Sequence, residues 1–378
     1  MKILIDARMY GLENSGIGRY LIELIGNLVK VESKFDFVIL LRKKYFDELN
    51  FTCNWKKILA DFRHYSLEEQ IKLPFIIKSE NPDLIHFPHF NIPILVNKKF
   101  VVTIHDMTIH DQSHEASLLP YPIFVIKKFF YKFVFLNAVS RSTKIIVPSF
   151  YVKRRIVDYY KVKSNKIRVV YEGISMNKSL KYLSRKSNIL KKNKLRSRKY
   201  LFYAGNVYPH KNLDIVLDAL YYLRNNCKGL NLSFVIAGNL RRFEERLKRR
   251  IKTLNLEDNI KLLGFINDEE MSLLYNHSMA FVYPSLSEGF GLQGLEAISS
   301  GTILIASDIP VFREIYGSFA YYFDPYNYRS LAKVVKKIFQ MDREERKRYL
   351  VTARKFIKRY SWEKMANDTF NIYKNILF

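Results

Sequence analysis

Cysteine is nearly absent. Only Cys53 and Cys227 occur in 378 residues, far apart and outside any C-x-x-C or His/Cys cluster, which excludes a disulfide framework and a zinc site and fits a reducing compartment. No uncharged apolar run of 18 residues occurs either. The longest candidate, YPIFVIKKFFYKFVFL at 121–136, is broken by Lys127, Lys128 and Lys132 and does not read as a spanning helix. The opening MKILIDARMYG places Asp6 and Arg8 in its short apolar run, so it reads as a first strand and not as a secretory signal. No G-x-x-x-x-G-K-[ST] string is present, which removes the P-loop. A protein that is soluble, or lies on a surface, is the expectation.

Acidic residues are also scarce: 36 Asp and Glu stand against 63 Lys and Arg, a formal charge of +27. Such an excess points to an anionic partner, whether nucleic acid, a membrane surface or a phosphorylated substrate. Abundant Lys, Asn, Ile, Tyr and Phe along the whole chain offer a compositional origin for part of it. What is plentiful is apolar residue, 48%, enough to fill the two cores that this length suggests.

The first half alternates KILIDA, FDFVILLR, DLIHFP, FVVTIHD, KIIVPS and IRVVYEG, read as strands, with helical patterns such as GRYLIELIGNLVK. This rhythm implies a doubly wound parallel sheet. Residues 178–199 then hold ten Lys or Arg and no acid, a self-repelling run that reads as an exposed basic linker. The rhythm restarts with YLFYAG, LSFVIAG, IKLLGF, AFVYPS, TILIAS and AYYFDP. In the last stretch, Ser361 is a candidate N-cap for a helix carrying Met365, Phe370, Ile372, Tyr373 and Ile376. The domains so read are 1–177, the linker 178–199, 200–358, and a terminal helix at 359–378.

GFGLQG at 289–294 matches the G-x-G-x-x-G of dinucleotide-binding turns. In that turn the first glycine follows its strand at once, whereas here Pro284 to Glu288 intervene. Asp308, at the end of the next strand, stands where a ribose-binding acid would. Glu288 argues the other way: at about 4 Å and an effective dielectric near 20, a carboxylate and a phosphate charge repel by roughly 4 kcal/mol. The acid fits only if it points past the diphosphate at a hydroxyl-rich group. SGIGRY offers Gly16 and Gly18 at the start of a helix after the first strand, either a close approach to a ligand or a simple turn.

From Gly291 a short helix begins, with Gly301 suited to its end. Amides of Phe290, Gly291 and Leu292 at its start suit a diphosphate. Glu288 and Glu296 could each accept from vicinal hydroxyls on either side of it. Lys211, with His210, precedes a helix in YAGNVYPHKNL and could neutralise a phosphate leaving group; a solvated surface lysine is the plain alternative. In the first half His105 and Asp106 end one strand and His86 and His89 another, where open sheets bind ligands; a buried hydrogen-bonding histidine is the plain alternative there.

SGIGRY, TIHD, GNVYPHKN, FVIAG, IKLLGFINDEEMSLLYNHSMAFVYPSLSEGFGLQGLEAISSG and YSWEKMANDTFNIY together resemble a retaining glycosyltransferase of family 4, mannosyltransferase-like, over almost the whole chain. The resemblance implies the α/β GT-B fold: two Rossmann-like domains facing across a cleft, the N-terminal one binding the acceptor and the C-terminal one the nucleotide sugar, with the final helix crossing back. It implies that Glu288 lies at the donor sugar, Glu296 at the ribose, and Phe290, Gly291 and Leu292 at the diphosphate, with Gly289 also among the donor-binding residues. Lys211 would meet the departing phosphates, Gly16 the diphosphate or sugar, His105 the transferring sugar, and 264–270 the nucleobase. Asn206 replaces an arginine common in the family, with His210 or Arg19 as candidate compensation. No D-x-D pair lies near the proposed site, and the resemblance implies metal-independent transfer with no cofactor, the nucleotide diphosphate sugar being a substrate.

GDP-mannose is the first expectation for the donor, followed by UDP-hexoses and dTDP-rhamnose. The aromatic and basic segment 123–144 suggests an anionic membrane surface as partner and a polyprenyl-diphosphate-linked glycan acceptor, hence a cytoplasmic protein peripheral on the inner face of the cell membrane. An NAD-dependent oxidoreductase and a basic nucleic-acid binder are the rival classes. Neither explains the paired glutamates around the glycine loop, and no specific nucleic acid is expected.

Overall fold

The computed structural model describes residues 1–51, 54–111, 114, 117, 119–174, 188–227, 229–230, 232–238, 240 and 243–378. They form two compact units, Met1–Gly173 with Tyr360–Phe378, and Ile174–Arg359.

The first unit is built on β1 (Lys2–Asp6), β2 (Asp36–Leu41), β3 (Trp55–Leu59), β4 (Leu84–Phe87), β5 (Phe100–Thr103), β6 (Lys144–Val147) and β7 (Ile167–Val169). All pair in parallel, in the order β3-β2-β1-β4-β5-β6-β7. Near-continuous runs of Ile, Leu, Val and Phe make this possible, because a parallel sheet is covered on both faces; Ile3, Leu4, Ile5, Val101 and Val102 are fully buried. β3 has no counterpart in the strands read from the sequence, since Lys56 and Lys57 interrupt its apolar pattern. It lies at the sheet edge, with Trp55 stacked on Phe37 at 4.3 Å and Lys57 Nζ donating to the Phe46 carbonyl at 2.6 Å.

The helix Trp362–Leu377 belongs to this unit and packs on the helix Ser15–Leu28. Ser361 caps it, accepting from the Lys364 amide, and Met365, Phe370, Ile372 and Tyr373 are buried. Gly173 lets the chain pass close behind, because a Cβ there would stand 2.0 Å from the Trp362 nitrogen.

The second unit has β8 (Tyr200–Ala204), β9 (Ser233–Ala237), β10 (Ile260–Gly264), β11 (Ala280–Tyr283), β12 (Ile303–Ser307) and β13 (Tyr321–Phe323), parallel and ordered β10-β9-β8-β11-β12-β13. Of the basic segment read as an exposed linker, 178–187 lies outside the described residues. Most of the remainder is exposed, as read, but it belongs to the second unit and is not a free linker. Residues 189–192 form a short helix with Ile189 buried, and Arg198 Nη1 donates to the Ser278 carbonyl at 2.7 Å. One apolar side chain and one backbone-directed guanidinium are enough to tie a charged run to its unit.

Each sheet reverses its strand order once, between β1 and β4 and between β8 and β11. Outside the carboxyl ends of such strands open α/β sheets leave a crevice for ligands.

Candidate functional site

The loops after β8 and β11 meet at the reversal point of the second sheet. The Leu286 amide donates to the His210 carbonyl at 2.8 Å, which brings together two segments distant in sequence. Lys211 Nζ then lies 2.6 Å from Glu288 Oε1, with side chains only 14% and 13% exposed. Asn212, in the left-handed region at φ 56°, fixes the turn by donating from Nδ2 to the Pro325 carbonyl at 2.8 Å. Among the described residues the Asn206 Oδ1 atom is buried without a hydrogen-bond partner, so the position that lacks an arginine offers an acceptor instead.

Glu288 is bordered by phenols. Burial holds Tyr203 and Tyr283 well above the usual tyrosine range, and the Glu288 charge adds to it; both therefore stay protonated. Tyr283 Oη also donates to Gln293 Oε1 at 2.7 Å. In the same way burial, then the Glu296 carboxylate, keeps Tyr275 protonated. These tyrosines and Gln293 went unread in the sequence because strand tyrosines in an aromatic-rich chain look like core.

The helix Leu292–Ser299 starts at Gly291, which has φ 98°. A Cβ there would stand 2.3 Å from Tyr316 Oη, and one at Gly294 2.4 Å from the same atom. Tyr316 Oη donates to the Gly291 carbonyl. Two glycines of the G-x-G-x-x-G string are thus explained by a tyrosine packed beneath the loop. Leu292 opens the helix, whose start carries the positive end of the dipole, and the Gly294 amide in its first turn donates to the Gly291 carbonyl at 3.2 Å. Gly289 and Phe290 are buried in this loop, and Glu296 is half-buried one helical turn on. Asp308, the acid that favoured NAD, is held by Arg313 at 2.6 and 2.7 Å, which keeps its carboxyl below the usual range. In 264–270, Phe265 is exposed, and Asn267 and Glu270 form a reciprocal cap.

Gly16 and His105 belong to the first unit. Gly16 is exposed on the first turn of Ser15–Leu28, with open space where a Cβ would be. His105 is engaged on both ring nitrogens: Nδ1 is 3.2 Å from Glu172 Oε1, Nε2 3.0 Å from the Pro88 carbonyl, and Tyr20 stands edge-on at 4.8 Å. Glu172, an acid just past the last strand, was the signal for this partner. Asp106 accepts from the Thr108 amide at 2.8 Å and turns the chain. His86 does not point into a crevice as expected. It is fully buried, 2.5 Å from Tyr373 Oη and 2.8 Å from Thr103 Oγ1, and burial lowers its pKa to about 3. Among the described residues no cluster of three His, Cys, Asp or Glu side chains forms a metal-ligand set.

Residues 184–356 match the family of glycosyl transferases group 1, and residues 14–178 match glycosyltransferase family 4. The O-antigen chain mannosyltransferase RfbU of Salmonella typhimurium is 28% identical over 351 residues, 90% of this chain and 91% of that protein. The O-antigen chain mannosyltransferase B of Escherichia coli is 23% identical, covering 99% and 100%. Among solved structures, a glycosyltransferase from Rickettsia africae superposes with a TM-score of 0.73 at 21% identity, covering 100% of this chain and 98% of that one. HepE of Anabaena, in complex with UDP and glucose, gives 0.74 at 16% identity, with 99% and 100% covered.

Proposed function

The chain belongs to the glycosyltransferases of group 1 and family 4 and has the GT-B fold, and from that premise we propose that it moves a mannosyl residue from GDP-mannose to a hydroxyl of a polyprenyl-diphosphate-linked glycan, retaining anomeric configuration, in cell-surface polysaccharide synthesis. The observation that carries the reading is the Lys211–Glu288 pair, 2.6 Å apart at a sheet reversal and beside a glycine-started helix. Mannose is favoured because the O-antigen relatives are mannosyltransferases; UDP-hexoses come second.

Without donor, lysine and glutamate neutralise one another. When the donor enters, its sugar hydroxyls donate to Glu288, and the released Lys211 ammonium turns to the diphosphate with the amides of Phe290, Gly291 and Leu292. Glu296 accepts from the ribose hydroxyls. As the C1–O bond to the β-phosphate breaks, negative charge grows on the leaving oxygen, where Lys211 stabilises it. The acceptor oxygen bonds to C1 on the same face, and the leaving phosphate takes its proton. The products are a glycoside and a nucleoside diphosphate; the transfer so proposed is metal-independent and uses no cofactor, the sugar nucleotide being a substrate.

We place the acceptor on the membrane, with the helix Tyr121–Arg141 as the contact. No helix among the described residues is long and apolar enough to cross a bilayer, and the contact proposed is a peripheral one.

Nucleoside diphosphate release from GDP-mannose, UDP-glucose and dTDP-rhamnose tests the reading. GDP-mannose is expected to turn over, and Glu288→Ala to lower the rate on the order of 10²-fold or more, the scale of losing a group that acts on the transition state. Turnover of Glu288→Ala within about tenfold of wild type would sink the proposal.

A further inference from the structure

The first sheet also reverses its order, between β1 and β4, and a costly arrangement of side chains occupies that point. Arg8, just past β1, is fully buried and holds Asp6 through Nε and Nη2, at 2.7 and 2.6 Å. Its Nη2 also donates to Glu69 Oε1 at 2.7 Å, and Glu69 is itself fully buried. Asn91, past β4, donates from Nδ2 to Glu69 Oε2 at 2.7 Å. Burying three charges is expensive even when they are paired, so this network is a poor way to gain stability alone.

What the network holds is Tyr65. Its amide donates to Glu69 Oε2 at 2.7 Å, fixing the backbone at φ 60°, a left-handed conformation that bulky residues resist. Tyr65 is nevertheless 63% exposed; its ring only borders the core, 6.5 Å from that of the buried Phe90, with Oη 3.4 Å from His89 Nδ1. It stands edge-on to His89 at 5.9 Å, and His89 lies over Phe90 at 4.0 Å. Beside it, His64 Nε2 is buried with no hydrogen-bond partner among the described residues. His64 Nδ1 lies 3.4 Å from Glu69 Oε1, so the clamp leaves only its Nε2 open, and a strained, exposed aromatic beside that nitrogen is what a ligand with an apolar face and hydroxyl edges would complete. A pyranose has both: its C–H face packs on an aromatic ring and its hydroxyls reach ring nitrogens.

We propose that Tyr65, flanked by His64 and His89, is an acceptor-sugar subsite of the first unit, positioned by the buried Arg8–Glu69 clamp. The inference rests on the glycosyltransferase reading, and it assigns the strain at Tyr65 to substrate recognition. Glycine relieves the φ strain, so removing the ring should leave the fold at least as stable while costing acceptor binding.

Saturation-transfer NMR with the full chain tests it, using the methyl glycosides of mannose, glucose, galactose, rhamnose and N-acetylglucosamine. At least one is expected to bind wild type, to bind Tyr65→Trp comparably, and to bind Tyr65→Gly at least tenfold more weakly, about 1.4 kcal/mol, with an unchanged or higher Tm. Absence of any glycoside binding by wild type, equal binding by Tyr65→Gly, or a clear fall in its Tm would each overturn the subsite. GDP-mannose binding by wild type, followed separately by thermal shift, reports on the donor reading alone.

Discussion

Gly16 and Gly18 stand two residues apart on one helix under opposite constraints. A Cβ on Gly18 would lie 1.8 Å from the Gly11 carbonyl oxygen, whereas one on Gly16 meets nothing within 4 Å. Gly18→Ala is therefore expected to destabilise the first unit by about 1–3 kcal/mol in denaturant unfolding, the cost of overpacking a fixed backbone. Gly16→Ala is expected to keep or slightly raise stability, alanine being the better helix former, and yet to slow nucleoside diphosphate release if the donor approaches that backbone. Full activity in a stable Gly16→Ala would remove Gly16 from the donor site. By residue type the two glycines were equivalent, and only the family resemblance singled out Gly16; the packing constraint on Gly18 was unreadable, because the crossing of Gly11 over Gly18 is a three-dimensional fact. Lys211 and Glu288 were each legible from their glycine-rich or helix-start surroundings. Their pairing was not, because the Leu286 to His210 backbone bond that sets it joins loops on non-adjacent stretches of chain.

The terminal helix shows what an element adds. Its N-cap and apolar spacing were readable, but the polar lock on its inner face was not. His86 bonds Tyr373 and Thr103, and Tyr20 Oη lies 3.2 Å from Thr103 Oγ1, so one histidine links β4, β5 and two helices. The neutral ring is required there. In the unfolded chain this histidine takes a proton below its ordinary value of 6.5, while the folded protein resists protonation down to about 3. The native state thus binds fewer protons, and stability is complete above pH 6.5 and declines as pH falls toward 3. At pH 5 the loss from this one group is about 2 kcal/mol. Denaturant unfolding at pH 7.5 and 5 is expected to show that loss in wild type and a smaller slope in His86→Gln; equal slopes would acquit His86. Lowered carboxyl groups such as Asp6 and Glu69 act in the same direction.

On the scale of the molecule, the charge of +27 and the helix Tyr121–Arg141 belong together. Only Phe135, Ala138 and Val139 of that helix are buried, while Val125, Ile126, Phe129, Phe130 and Phe133 are 46–68% exposed among Lys127, Lys128 and Lys132. An apolar surface of this extent on one helix calls for a partner, and interleaved lysines favour an anionic bilayer, at about 1 kcal/mol per basic residue near the surface. Flotation with anionic vesicles is expected to recover the protein at low salt, less of it at 0.5 M salt, and little of a Phe129→Ser/Phe130→Ser variant. Indifference to vesicle charge would count against the membrane role.

The sequence by itself determined the two parallel sheets, the family and most of the individual residues around the glycine loop, because apolar runs, breaks and loop spacings are local properties of the chain. It also separated this loop from an NAD turn by the residues before Gly289. Tertiary structure alone decided which residues meet. It paired Lys211 with Glu288, gave the glycine string to Tyr316, turned His86 inward, seated part of the basic run on the second unit and strained Tyr65 over buried charges. Each of these depends on hydrogen bonds or close contacts between segments far apart in the chain, and such contacts leave no periodicity to read.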